Sequence, residues 1–167
     1  MNLNSTICAI ATGSGTSAIG VVRVSGPKSV DIVRKVFHSE KDLQRNPRRT
    51  ILGEIIFDER VIDQAVAVYM AAPGSYTGED TVELSCHGSQ YVLSEVLKVL
   101  YHAGAVPAKP GEFTKRAFLN GKLDLTQAEA VIDLIESETS ASNKNALMQL
   151  CGTFGREITE ISRKLVE

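Results

Sequence analysis

The sequence predicts an α+β protein: a mixed sheet with flanking helices, followed by an α-helical segment. Two observations carry that prediction. β-branched apolar runs alternate with stretches of helical periodicity from residue 7 to residue 108, and from Asp124 onward proline disappears while good helix formers dominate. A chain of 167 residues with 43% hydrophobic and 23% charged content can bury a real core.

Residues 7–11 and 19–24 are short, β-branched and apolar, and a Gly/Ser/Thr stretch over 12–17 joins them, so a strand-loop-strand opens the chain. Ser25-Gly26-Pro27 reads as a helix start with proline at the first helical position. Val30, Val33, Val36 and Phe37 supply one apolar face, and the helix is expected to end near His38. The polar segment 40–49, with Asn46-Pro47 and three arginines, is expected to be an exposed, mobile loop. Residues 50–57 and 61–71 flank Asp58-Glu59-Arg60. Alternation of Val61, Asp63, Ala65, Ala67 and Tyr69 with Ile62, Gln64, Val66, Val68 and Met70 predicts a hairpin there. Residues 81–87 make a further strand, and apolar positions 92, 93, 96, 97 and 100 place a one-sided helix over 90–102. Residues 105–108 suit a short edge strand, since Pro107 rules out a central one.

In the helical part, Asp124 with Gln127 three residues on resembles a capping arrangement, followed by the apolar face Ala128, Val131, Leu134 and Ile135. A second, longer helix is expected to carry Leu147, Leu150, Phe154, Ile158, Ile161 and Leu165 as a seam, with Gly152 and Gly155 as weak points inside it. That pattern runs into the last residue with no glycine, asparagine or proline stop, so the helical part reads as truncated.

The net charge of −2 lacks the basic balance of a stand-alone nucleic-acid binder, which weakens RNA contact by this segment alone. No apolar run is long enough to span a bilayer, and residues 1–6 lack a signal-peptide pattern, so no membrane association and a cytoplasmic location are expected. Cys8, Cys86 and Cys151 are three in number and widely spaced, which suits reduced, buried thiols rather than a disulfide framework or a zinc site.

Gly13-x-Gly15-x-x-Ala18 matches the loose dinucleotide fingerprint, but the residues after it are a strand by every local preference. No helix N-terminus is then available for a pyrophosphate. GxxxxGK[ST] does not occur. Cys86-His87 invites a thiol-imidazole dyad, yet neighbours on a strand point to opposite faces. His38 and His102 end predicted helices, where an imidazole caps free carbonyls, and no metal site is expected. Two stretches are unusual for surface loops, 72–80 around Ser75-Tyr76-Thr77-Gly78-Glu79-Asp80 and 110–122 around Gly111-Glu112-Phe113-Thr114. Taken alone they read as a type II turn after Pro73 and a capped short helix after Gly111.

These stretches, with Ile19-Gly20-Val21-Val22-Arg23-Val24-Ser25-Gly26-Pro27, Glu83-Leu84-Ser85-Cys86-His87-Gly88 and Gln127-Ala128-Glu129-Ala130, closely resemble the N-terminal region of the MnmE (TrmE) family of tRNA-modification GTPases. Ser89 departs from the family pattern, which usually has a second glycine there. The resemblance implies a folate-binding and dimerisation domain over 1–122, related in fold to folate-dependent aminomethyltransferases, and the first helices of a helical domain over 123–167. It implies that 5-formyl-tetrahydrofolate or a related reduced folate is held by Arg23, Glu83 and Lys122. Glu83 would accept from the pterin ring N–H and exocyclic amine, while Arg23 and Lys122 would take the anionic tail. GTP, magnesium and potassium would be bound by a G domain outside this chain, and no catalytic residue is expected within it.

For the whole protein the resemblance implies a homodimer that acts with an FAD-dependent flavoprotein of the MnmG (GidA) family. Together they would add a (carboxymethyl)aminomethyl group at C5 of the wobble uridine of tRNA. The rival reading is a non-catalytic dimerisation platform that docks tRNA or the flavoprotein without using folate, through a patch of Arg45, Arg48, Arg49, Lys109, Lys115 and Arg116.

Overall fold

A computed structural model describes residues 4–152. The chain divides into two compact units, Met1–Phe113 and Thr114–Glu167. The first contains β1 (Ile7–Ile10), β2 (Ile19–Ser25), α1 (Ser29–Arg34), β3 (Phe37–His38), β4 (Thr50–Phe57), β5 (Arg60–Met70), β6 (Thr81–His87), α2 (Gln90–Ala103) and β7 (Val106–Pro107). Together the strands form one seven-stranded sheet in the order β3-β4-β5-β6-β2-β1-β7. It is mixed: β7 runs parallel to β1 at the edge, as Pro107 requires, and the other pairs are antiparallel.

The two faces of the sheet differ because side chains alternate along each strand. On one face Val22, Val24, Ala65, Ala67, Val82 and Leu84 join α1 residues Val30 and Val33 and α2 residues Leu93, Val96 and Leu100 in one buried cluster. The other face presents Val21, Arg23, Val66, Val68, Glu83 and Ser85, all half-buried. Gly20 brings β2 and α2 close, since a Cβ there would lie 2.5 Å from the Leu93 side chain. The β4–β5 hairpin turns at Asp58 and Glu59, whose φ values of 48° and 62° are both in the left-handed region that a two-residue type I′ turn needs.

The helix expected from Pro27 to His38 is shorter. It begins at Ser29, after Lys28 donates its backbone N–H to Thr6 Oγ1 at 3.0 Å, and it ends at Arg34. Phe37 and His38 instead form β3, paired with Ile55 and Glu54 of β4. Edge pairing gives their backbone groups partners while Phe37 enters the core, so His38 is a strand residue and caps no helix. His102 does lie in the last turn of α2, its Nδ1 2.8 Å from the Lys98 carbonyl. Segment 40–49 holds no helix or strand, yet it is tied down. Leu43 is buried, the Arg48 N–H donates to the Tyr69 carbonyl at 2.7 Å, and its guanidinium donates to the Gly74 carbonyl at 2.9 Å.

α3 (Glu112–Leu119) starts at the end of the first unit and continues into the second, which also holds α4 (Leu125–Ile135) and α5 (Ser140–Leu150). Capping boxes open both later helices, Asp124 with Gln127 and Thr139 with Ser142. α4 and α5 pack on each other, and Gln127 Nε2 donates to the Leu150 carbonyl at 2.8 Å. The long seam helix is interrupted: α5 ends at Leu150 and Gly152 takes φ 70°, the glycine stop that follows many helices. The seam positions Phe154, Ile158, Ile161 and Leu165 lie outside the described residues. Among the described residues no helix is long and apolar enough to cross a membrane.

Candidate functional site

The antiparallel register of β2 and β6 sets Arg23 opposite Glu83, on the face turned away from α1 and α2. Arg23 Nε donates to Glu83 Oε1 at 2.8 Å, with 23% and 30% of the two side chains exposed. This is a single-pronged contact. Arginine and carboxylate commonly close on each other with two parallel bonds. Here neither Nη of Arg23 nor Oε2 of Glu83 makes a further hydrogen bond among the described residues. The pair therefore presents unused donors beside an unused acceptor.

Two aromatic rings lie close to the guanidinium. Its central carbon lies 5.2 Å from the ring centre of Tyr76 and 5.4 Å from that of Phe113, within cation–π range. Tyr76 belongs to the loop between β5 and β6, and both its neighbours are anchored below the surface. Thr77 Oγ1 lies 2.7 Å from Ser25 Oγ and 3.3 Å from Thr81 Oγ1, while Ser75 Oγ donates to the Glu79 carbonyl at 2.5 Å. Ser25 Oγ also contacts Glu79 Oε2 at 2.8 Å, and these four hydroxyl residues are all buried. Asp80 secures the start of the loop, accepting from the Tyr69 hydroxyl at 3.0 Å and the Ala72 N–H at 2.9 Å. Burial first, and the Asp80 hydrogen bond and charge second, raise the Tyr69 hydroxyl above its ordinary pKa. Phe113 stands in the first turn of α3, after Glu112 Oε2 accepts the Lys109 N–H at 2.8 Å.

Of the three expected ligands of folate, the structure brings Arg23 and Glu83 together. Lys122 belongs to the second unit, where it follows α3, is exposed, and donates its backbone N–H to the Ala117 carbonyl at 2.8 Å. Sequence reasoning singled out the loop of Tyr76 and the stretch of Phe113 for their composition but gave neither aromatic a role. It also missed Asp63. That carboxylate is 7% exposed and holds His87 twice, accepting its backbone N–H at 2.8 Å and lying 2.6 Å from its Nδ1. The Asp63 contact turns His87 outward, 72% exposed, while Cys86 points into the core. Burial, and then the charge of Asp63, push the Cys86 thiol up to about 12, and burial does the same to Cys8. Cys151 departs from the expectation of buried thiols: it is exposed where α5 ends. Among the described residues no cluster of three or more His, Cys, Asp and Glu is placed to hold a metal ion.

Fold and site together define an α+β sheet domain with a preformed polar site on the face opposite its packed helices. Residues 6–122 match the protein-family model described as "GTP-binding protein TrmE N-terminus", and the chain belongs to that family. It is 50% identical over 169 residues to the tRNA modification GTPase MnmE of Christiangramia forsetii, covering 99% of this chain and 36% of that protein. Against the proteins of the same name from Bacteroides thetaiotaomicron and Aquifex aeolicus the identity is 46% over 165 residues and 48% over 163. Each alignment covers 96% of this chain, and 35% and 36% of those proteins. The chain thus spans about a third of the length of these relatives.

Proposed function

We propose that this chain is the folate-binding, dimerising portion of a tRNA-modification GTPase, folded like a folate-dependent aminomethyltransferase and working in the cytoplasm. The observation that carries the reading is the Arg23–Glu83 pair, half-buried on adjacent strands with donors and an acceptor left over. A reduced pterin offers a matching edge: an exocyclic amine and a ring N–H that donate, then a carbonyl that accepts. Glu83 is suited to the two donors and the Nη groups of Arg23 to the carbonyl. The 2.8 Å bond between the two residues supports giving both to the pterin end; Lys122 is assigned to the anionic tail by the family resemblance alone. Bound folate would supply the one-carbon unit, while these residues orient it.

In the full-length protein, acting with an MnmG-type flavoprotein, the product would be tRNA carrying a (carboxymethyl)aminomethyl group at C5 of its wobble uridine. The names of the relatives support the tRNA and GTPase parts of this reading. The rival docking platform draws less support. Of its six cations, Arg116 is fully buried and Arg48 is engaged with the Gly74 carbonyl.

Calorimetric titration of 5-formyl-tetrahydrofolate into the chain tests the proposal. Saturable binding is expected. Glu83→Ala and Arg23→Ala, each checked for folding, are expected to weaken it about tenfold to a hundredfold, the loss that follows removal of a charge-assisted hydrogen bond of about 1.5–3 kcal/mol. A folded wild-type chain that fails to bind, or binding indifferent to both substitutions, would overturn it.

A further inference from the structure

We infer that Tyr76 and Phe113 are positioning residues for Arg23: they clamp its guanidinium so that Nε closes on Glu83 while both Nη donors stay directed to a bound ligand. The inference rests on the folate reading for the identity of that ligand, but the closeness of both rings to Arg23 does not depend on it. A flexible arginine beside a carboxylate, left to itself, turns until both oxygens are engaged. The observed pair uses one nitrogen and one oxygen, at 2.8 Å. Two ring centres, those of Tyr76 and Phe113, lie 5.2 and 5.4 Å from its central carbon, and in this inference their contact opposes further rotation of the plane. Guanidinium is planar and weakly hydrated, so stacking on rings costs it little solvation, where an ammonium would lose more.

The anchoring of Tyr76 supports the same inference. Its two neighbours Ser75 and Thr77 are buried and bonded to Glu79 and to Ser25, and Ser25 lies two residues beyond Arg23 on the same strand. The loop and the arginine therefore share one foundation. A loop that merely connected β5 to β6 would have no need of four buried hydroxyl side chains beneath an aromatic residue, because burying such groups requires each to be satisfied.

Two measurements on the full chain test this. The first needs no ligand: the Nε–Hε resonance of Arg23, recorded by 15N-edited NMR, should be displaced by the two rings and return towards the free-arginine position in Tyr76→Leu and again in Phe113→Leu. The second is titration of 5-formyl-tetrahydrofolate. Tyr76→Leu should weaken binding about tenfold and Tyr76→Phe, which keeps the ring, less than about twofold. In an Arg23→Met background Tyr76→Leu should add little, since its target is gone. An unshifted Arg23 resonance in the wild type, or one indifferent to both leucine variants, overturns the clamp. So does full additivity of Tyr76→Leu with Arg23→Met. If the wild-type chain does not bind this folate, the folate reading fails, and the Arg23 resonance still decides whether the clamp exists.

Discussion

Burial among the strands pushes the thiols of Cys8 and Cys86 up to about 12 from their ordinary 9.0, whereas Cys151 lies in the open at the end of α5. Only a thiolate attacks a disulfide reagent, so one of the three cysteines should react with Ellman's reagent in the native protein at pH 8 and all three after denaturation. Above pH 9 the unfolded chain gives up protons that native Cys8 and Cys86 retain. Their contribution to stability is complete below pH 9 and is lost as pH rises towards 12. The urea midpoint should fall across that range, and fall less in Cys86→Ala; a midpoint flat from pH 9 to pH 11 would contradict the assignment. Residue types alone pointed to reduced thiols, but nothing in the local sequence marks Cys151 as different from the other two. The same holds at the site. Arg23 and Glu83 were singled out through motif resemblance, whereas the contacts of Tyr76, Phe113 and Asp63 are with partners distant in the sequence.

Most elements were readable from periodicity and turn chemistry, among them the β4–β5 hairpin, β6, α2 and the capping box of α4. The hairpin achieves its turn with Asp58 and Glu59 both at positive φ, a conformation that aspartate tolerates and to which glutamate is poorly suited. A side chain in the left-handed region costs about 1 kcal/mol or somewhat more, which glycine avoids. Glu59→Gly is therefore expected to stabilise the chain by about 0.5–1 kcal/mol and Glu59→Val to destabilise it, seen as opposite shifts in urea midpoint at unchanged slope. Equal midpoints for the two variants would show that the turn carries no such strain. The main misreading was α1. Val36 and Phe37 continue a helical apolar stripe, yet the chain leaves the helix at Arg34 because β4 offers Phe37 and His38 a strand edge to pair with. That choice depends on a partner some seventeen residues further along, so a local pattern cannot register it.

For the molecule as a whole, the buried face of the sheet is one continuous cluster running from β4 across to β1 and up into α1 and α2. Leu84 sits within it, fully buried on the strand that also carries Glu83. Leu84→Ala should cost about 2–5 kcal/mol by thermal or urea denaturation, the range for a leucine removed from a packed interior, and a loss below 1 kcal/mol would place Leu84 outside the core. The amino-acid sequence by itself determined the α+β class, the order of most elements, the change to helix after Asp124 and the family resemblance. Those properties follow from local preference and from residue patterns that read along the chain. Tertiary structure alone decided the strand order, the face on which each strand buries its apolar side, the division after Phe113, and the meeting of Arg23 with Glu83, Tyr76 and Phe113. These are pairings between residues up to ninety-nine positions apart, as for Ile7 and Val106, and which of many compatible partners a strand or side chain takes is settled only when the whole sheet closes over its core.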